Sequence, residues 1–167
     1  QRRLEVLTQE RHPELRELGI KWIDVIGKQL RDDRNSNQDE VEKCFDIAQE
    51  LLNQYPNISI GIISPFKHQV EALKERFGDM DEDRLRVDTV HKFQGDECDV
   101  IIYSIVVTDN SPDGKIWWID QGEPNLVNVA ITRARSLVYV VGNKEYVRTH
   151  SNNNLPLGYL LTYTEQL

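Results

Sequence analysis

The sequence predicts an α/β protein, a parallel sheet with helices on both faces. Short β-branched runs alternate with amphipathic segments of helical spacing, which favours strands joined by crossover helices. Residues 100–107 are apolar on both faces, as is typical of a central parallel strand. With 167 residues, the chain is long enough to bury one sizeable core.

The chain opens on a charged flank over residues 1–19, followed by a first strand. Helix-like stretches lie on either side of Pro13, and residues 21–26 predict a strand that ends at Gly27. The domain itself is expected over residues 20–150. Since the first residue is not Met, we expect the chain to be a fragment of a longer one.

A capped helix is predicted after a polar loop over residues 31–36. Asn37 is placed to cap it, and Glu40, three positions later, completes a capping box. Apolar residues then recur at three- and four-residue spacing on one face. These are Val41, Cys44, Phe45, Ala48, Leu51 and Leu52.

The next elements are a strand, a helix and two more strands. Residues 58–63 predict a β-branched strand that ends at Ser64 and Pro65. The helix that follows ends at Gly78 and turns three apolar side chains inward. These are Val70, Leu73 and Phe77. Residues 85–90 and 100–107 predict the third and fourth strands.

The last third predicts a long loop, a helix, a strand and a tail. Residues 109–123 are expected to form a loop in which Trp117 and Trp118 are more often packed than stacked on bases. Pro124 opens a helix to about Arg133, and residues 137–141 form the last strand. Residues 151–167 are expected to be a tail that is only partly ordered.

Composition limits the functions that the chain can carry. A net charge of −8 and a pI near 5.0 argue against a wholly basic nucleic-acid surface, although a narrow track of backbone contacts is compatible with both. No apolar stretch approaches a membrane span, and no signal peptide is recognisable. Cys44 and Cys98 are expected to be reduced, which fits the cytoplasm, and no ligand spacing predicts a metal site.

Three strand ends carry polar side chains that suit chemistry. At the first, Ser64 and Pro65 precede a helix N-terminus, which suits an anion but is more typical of a plain capped turn. The second offers a hydroxyl, an imidazole, an ammonium, an amide, a flexible backbone and a carboxylate. Its residues are Thr89, His91, Lys92, Gln94, Gly95 and Glu97. A functional loop is the stronger interpretation, and an ordinary solvated loop is the alternative.

The third strand end belongs to residues 128–135. Asn128 and Thr132 lie four apart and share a helical face, and Arg133 follows at the end of that element. An arginine in this place can reach across a cleft and stabilise charge on a transferring γ-phosphate. The alternative for Arg133 is a surface ion pair with an acidic side chain. For Arg135, an ion pair and a functional role are equally open.

These strand ends resemble motifs IV, V and VI of the second RecA-like domain of superfamily 1 helicases, in the same order and spacing. Ser36-Asn37-x-x-Glu40 is similar to the nonsense-mediated-decay type, and residues 89–95 are similar to the exonuclease V α-subunit type. Both types belong to the branch that moves 5′ to 3′ on a single strand. The resemblance covers residues 21–150.

The resemblance implies a set of site residues. Arg133 would be the catalytic arginine finger, Glu97 would accept a hydrogen bond from the nucleotide ribose, and Gln69 would support the interdomain cleft. The ATP-binding residues would thus be Gln69, Gly95, Glu97 and Arg133. The nucleic-acid backbone would lie along Ser64, Pro65, Thr89 and His91, through hydroxyls and main chain that an acidic protein can offer.

The sequence also departs from the family pattern. It has neither a Gly-x-x-x-x-Gly-Lys-[Ser/Thr] phosphate loop nor an acidic metal-binding motif at a strand end. The resemblance therefore implies half a motor, which would need an N-terminal RecA-like domain of the same polypeptide to hold ATP with Mg²⁺. Where the family carries basic residues before motif VI, this chain has Glu123-Pro124-Asn125.

Two other functions remain open at this point. The first is a degenerate helicase-like module that docks partners without catalysis, although Arg133 and Glu97 count against it because a scaffold needs neither. The second is a flavodoxin-like phosphate-binding domain, which would need a phosphate loop after its first strand. Residues 27–30 do not supply one.

Overall fold

The computed structural model describes residues 15, 19–29, 35–93, 95–112, 114–122 and 125–167. Most of the charged N-terminal flank and of the predicted loop over residues 31–36 therefore lies outside the described residues. The elements are β1 Gly19–Asp24, α1 Gln38–Gln54, β2 Ile60–Ser64, α2 Lys67–Phe77, β3 Leu85–Thr89, β4 Cys98–Ser104, α3 Lys115–Gln121, α4 Leu126–Ile131, β5 Ala134–Gly142, α5 Lys144–His150 and α6 Pro156–Glu165.

The five strands form one sheet in the order β1-β5-β4-β2-β3, and every neighbouring pair is parallel. This confirms the predicted α/β fold and the central position of β4, whose seven residues are all buried. Because all strands run the same way, the residues before them share one edge of the sheet, here called the amino edge. The residues after them share the opposite edge, the carboxyl edge.

Helices cover both faces of this sheet. On one face α1 and α2 pack against β2, β3, β4 and β5, and the predicted inward positions of both helices are buried. On the other face lie α4 and α6, which contact β4, β5 and β1. Cys44 and Cys98 are both free and buried, as predicted. Within the described ranges, no helix combines the length and apolar character that a membrane span requires.

The connection over residues 90–97 crosses the second face of the sheet, because β2 separates β3 from β4. Its anchor is Phe93, which is fully buried, and Gly61 on β2 makes room for the ring. A Cβ atom on Gly61 would lie 2.6 Å from Phe93 Cζ and 2.8 Å from Ile101 Cδ1. Arg86 also stabilises this connection. Its guanidinium lies 4.4 Å from the Phe93 ring centroid, and its Nη2 donates to the Lys92 carbonyl oxygen at 2.9 Å.

The last third of the chain differs from expectation. The predicted loop over residues 109–123 contains α3, a helix too short for periodicity to show, which buries Ile116 and Ile119. The next helix begins at Leu126 under an Asn125 cap, and the Pro124 predicted to open it lies outside the described residues.

The expectation of a partly ordered tail is wrong, because α6 buries three leucines in the core: Leu157, Leu160 and Leu161. The polar residues 151–154 only form the turn that leads into this helix. Asp120 at the end of α3 fixes the turn, since its carboxylate accepts from the Leu157 N–H at 2.8 Å and the Ser151 hydroxyl at 2.7 Å.

Replacing Gly61 by Ala should destabilise the fold by about 1–3 kcal/mol, because the new methyl group overlaps Phe93 in a packed interior. Urea denaturation measures the loss. The double variant Gly61→Ala/Phe93→Leu should recover part of it, since the shorter side chain leaves room for the methyl group. Equal stabilities of Gly61→Ala and the wild type would show that the crossing does not depend on this contact.

Candidate functional site

Two predicted site residues, Glu97 and Arg133, meet at the amino edge. They directly precede β4 and β5, which are adjacent in the sheet. The Cys98 N–H donates to the Arg133 carbonyl oxygen at 2.9 Å, so the two strand starts are held together by the backbone. Gly95 lies two residues before Glu97 with a φ of +84°, a conformation that favours glycine. Gln94 lies outside the described residues.

Arg133 has no acidic partner within the described part of the chain. Its Nη2 donates to the Thr132 hydroxyl at 3.2 Å, and its Nε is buried without a hydrogen-bond partner among the residues that the structure describes. A buried polar atom left unpaired costs free energy, which an incoming acceptor would recover. The described residues therefore give no support to the alternative of an Arg133 surface ion pair.

Arg135 is different, because it forms the ion pairs that the sequence left open. Its Nε lies 3.6 Å from Glu97 Oε2 and its Nη1 lies 3.5 Å from Asp99 Oδ1. Asp99 is in turn fixed by the Ser59 N–H at 2.8 Å and the Ser59 hydroxyl at 3.0 Å. Arg135 thus orients Glu97, while 47% of the Glu97 side chain remains exposed at the edge.

The four predicted nucleic-acid residues lie at the carboxyl edge. Ser64 and Thr89 are register partners at the ends of β2 and β3. Ser64 is fully buried and Pro65 is buried, whereas Thr89 is half-buried and His91 is exposed. In this state only Thr89 and His91 offer substantial side-chain surface to a ligand. The Thr89 hydroxyl also accepts from the Lys92 N–H at 3.4 Å.

The pair Glu97 and Arg133 at the amino edge and the four predicted nucleic-acid residues at the carboxyl edge do not form one site. They are separated by the length of the sheet, about 23 Å for the seven residues of β4 at about 3.3 Å each. The chain leaves the carboxyl edge after Thr89, the last residue of β3. It reaches the amino edge at Glu97, just before β4, because the connection between these strands spans the whole face of the sheet. Thr89 therefore lies at the carboxyl end of its strand, whereas Glu97 and Arg133 lie at the amino ends of theirs.

Gln69 belongs to a buried polar network at the carboxyl edge. Its Oε1 accepts from the Asn37 N–H at 2.8 Å, and its Nε2 donates to the Asn37 carbonyl oxygen at 3.2 Å and the Ser104 hydroxyl at 3.0 Å. The Gln69 side chain has no exposed surface, so in this state it positions Asn37 and Ser104 at the carboxyl edge and does not contact a ligand itself. The ATP contact implied for Gln69 stays a prediction.

Glu40 is the network residue whose position sequence reasoning missed. Asn37 caps α1 as predicted, with its Oδ1 accepting from the Glu40 N–H at 3.2 Å. The predicted second hydrogen bond of the capping box, from the Asn37 N–H to the Glu40 side chain, is wrong, because the Asn37 N–H donates to Gln69 Oε1. The Glu40 carboxylate instead accepts from the Ser104 hydroxyl at 2.8 Å and the Val106 N–H at 3.0 Å. No local signal separates this arrangement from a surface cap.

The same network holds a strained stretch of backbone. Val106 has a φ of +70°, which is unusual for a β-branched residue and costs about 1–3 kcal/mol. Glu40 binds its N–H, and Asn37 Nδ2 donates to its carbonyl oxygen at 3.2 Å. This kink ends β4 and fixes the path of the chain along the carboxyl edge.

Burial governs the charge of Glu40. It raises the pKa of this carboxyl group from 4.5 to about 8, although hydrogen bonds from Val106 and Ser104 pull the pKa down. Burial also raises the pKa of the neighbouring Cys44 thiol. No cluster of three or more His, Cys, Asp or Glu side chains suited to a metal ion occurs in the described ranges.

Comparison with known proteins identifies the family. A model described as AAA domain matches residues 2–145. The helicase sen1 of Schizosaccharomyces pombe is 35% identical over 77% of this chain, which covers 8% of that protein. The probable helicase MAGATAMA 3 of Arabidopsis thaliana is 38% identical over 64% of this chain. An uncharacterized ATP-dependent helicase of Methanocaldococcus jannaschii is 30% identical over 80%.

The chain therefore belongs to the AAA domain family, as a superfamily 1 helicase-like second domain. It spans only a small part of these relatives: 8% of the S. pombe protein, 14% of the A. thaliana protein and 19% of the M. jannaschii protein. The comparison therefore establishes the family and the fold of this chain, and not the activity of a whole relative.

The raised pKa of Glu40 predicts a pH dependence of stability. Between about pH 5 and pH 8 the folded carboxyl group holds a proton that the unfolded chain has lost. The free energy of unfolding should therefore fall as pH rises, with a slope of up to about 1.4 kcal/mol per pH unit from this group. Above the folded pKa the slope should vanish.

Urea denaturation of Glu40→Gln across this range tests the dependence, because glutamine keeps the shape and cannot titrate. Its stability profile should be flatter than that of the wild type, whatever its absolute stability. Glu42→Gln is the matched control, since Glu42 lies one turn away in an exposed pair with Arg76. Parallel profiles for the wild type and Glu40→Gln would show that Glu40 is charged in the fold throughout this pH range.

Proposed function

We propose that this chain is the C-terminal motor domain of an ATP-dependent helicase that acts on single-stranded DNA or RNA. The observation that carries the proposal is the state of Arg133 at the amino edge. It has no acidic partner among the described residues, and its Nε is buried and unsatisfied, whereas neighbouring Arg135 is neutralised by Glu97 and Asp99. In this proposal Arg133 is the arginine finger.

A phosphate oxygen would complete the environment of Arg133. The guanidinium is a planar array of donors that matches phosphate geometry, and it is always charged. Thr132 holds one end of it at 3.2 Å, which restricts the side chain before a ligand arrives. A preorganised cation of this kind stabilises charge that develops on a transferring γ-phosphate.

Glu97 is proposed to accept a hydrogen bond from the nucleotide ribose. It lies on the strand next to that of Arg133, remains partly exposed, and is oriented by Arg135. Gly95 supports this role because its positive φ turns the chain immediately before Glu97 at the edge. The two side chains would then hold opposite ends of one nucleotide.

Hydrolysis would need a second domain. The sequence has no phosphate loop, so a separate RecA-like domain would bind the phosphate tail and the Mg²⁺ that neutralises it. The relative from M. jannaschii is named as an ATP-dependent helicase, which fits the use of ATP. On its own this chain should not turn over ATP, and closure of the two domains would bring Arg133 to the γ-phosphate.

The carboxyl edge is proposed to carry the nucleic-acid backbone. Thr89 and His91 offer a hydroxyl and an imidazole there, and the buried network around Glu40 and Gln69 keeps the strand ends in place. Contacts through hydroxyls and main chain give a sequence-independent grip, as a translocating motor requires.

Replacing Arg133 by Ala should lower the single-strand-stimulated ATPase rate by roughly 10³-fold or more, the scale of an arginine finger. The measurement uses the full protein that contains this domain together with its phosphate-loop domain. Unchanged circular dichroism and thermal midpoint would exclude a folding defect.

Arg148→Ala is the matched control, because Arg148 forms exposed ion pairs with Glu145 and Glu165 and lies on α5, which begins at the opposite end of β5 from Arg133. It should turn over ATP like the wild type. Equal rates for Arg133→Ala and the wild type would sink the arginine-finger role. If the wild type itself showed no stimulated turnover, a degenerate docking module would be the better description.

A further inference from the structure

A cleft of about 640 Å³ opens at the carboxyl edge between the starts of α2 and α3. Its wall includes Pro65, Lys67, His68, Lys115 and Trp118. This volume falls within the range of small-ligand sites, roughly 300–1,000 Å³. None of the described residues that line it is acidic.

The charge of this cleft runs against that of the whole chain. The protein carries a net charge of −8, and another open cleft, along α1, is lined by Asp46 and Glu50 among amide side chains. Here two lysines and a histidine face the same space. Glu71 lies 4.0 Å from Lys67 Nζ but is not part of the lining. An anionic ligand is therefore favoured in this cleft over the cleft along α1.

Trp118 gives the cleft an aromatic wall with a fixed orientation. One side of the indole packs against buried Phe66, with ring centroids 5.4 Å apart and an interplanar angle of 41°. The side chain is nevertheless 37% exposed. A large aromatic side chain that is held by a packed neighbour and is still partly exposed in a cleft suits a stacked nucleobase.

The cleft is continuous with the proposed nucleic-acid track. Pro65 forms part of its wall and directly follows Ser64, the register partner of Thr89. A strand that passes Thr89 along the carboxyl edge would therefore meet the cleft within a few residues of the β2 end.

We propose that this cleft holds one nucleotide of a single-stranded nucleic acid, with the base stacked on Trp118 and a phosphate next to Lys115. The inference rests on the proposed function and adds a specific site to it. The expected packing of Trp118 is present in its contact with Phe66, and the proposal adds a stacking role for the part that stays exposed. Neighbouring Trp117 is 56% exposed and is not part of the lining, so it has no role in this site.

The test measures how the full protein binds a fluorescein-labelled oligouridylate and the matching oligothymidylate, by fluorescence anisotropy. Trp118→Leu keeps an apolar side chain against Phe66 but removes the aromatic face. It should weaken binding by roughly 5- to 100-fold, the value of one stacked base. Trp118→Phe should restore most of the affinity. Trp117→Leu is the matched control and should bind like the wild type.

A second arm tests the phosphate contact. Lys115→Ala should reduce the slope of log K against log salt concentration by about 0.7, the contribution of one phosphate of a single strand. Lys74→Ala, an exposed lysine in the last turn of α2, should leave the slope unchanged. Photo-crosslinking with an oligonucleotide that carries 5-iodouridine should label the peptide that contains Trp118.

The outcomes separate this inference from the proposed function. If the wild type binds and Trp118→Leu and Lys115→Ala bind like it, the cleft is not a nucleotide site, while the motor assignment stands. If the wild type binds neither oligonucleotide, the proposed function fails with it. Should Trp118→Leu fail to fold, Trp118→Phe, Lys115→Ala and the crosslinked peptide still decide the matter.

Discussion

Parallel pairing of all five strands is the constraint on which the rest of this structure depends. It gives the sheet two chemically different edges, because every crossover returns the chain to the same starting side. The connection between β3 and β4 makes this return through turns at residues 90–93, with Phe93 packed between Arg86 and Gly61. Its two ends therefore lie on opposite edges, with Thr89 on one and Glu97 on the other.

The two edges differ in how their buried polar groups are satisfied. At the carboxyl edge Asn37, Glu40, Gln69 and Ser104 bond to one another, and together they hold Val106 in a strained conformation. A satisfied network of this kind is rigid, because breaking one bond leaves a second group unpaired. At the amino edge the buried Nε of Arg133 has no hydrogen-bond partner among the described residues. The four network side chains thus satisfy one another, whereas Arg133 can still take an acceptor.

The charge around individual side chains also differs from the net charge of the chain. The chain is acidic overall, yet Arg135 is neutralised by Glu97 and Asp99 while Arg133, two residues earlier, has no carboxylate partner in the described ranges. The cleft beside Trp118 likewise collects cations in an acidic protein. Bulk charge therefore predicts little about where an anion would bind, since the relevant fields act over the few ångströms around each side chain.

The sequence by itself determined the fold class, the inward faces of α1 and α2, and the residues on which a site is proposed, because periodicity and strand-end chemistry are local properties. It failed where a decision depended on partners distant in the chain. The order of α6 depends on burial against the sheet, and the role of Glu40 depends on Ser104, which lies 64 residues away. Only the tertiary structure decided that Arg135 pairs with Glu97 and that Arg133 has no acidic partner among the described residues, because these pairings depend on β4 and β5 lying side by side.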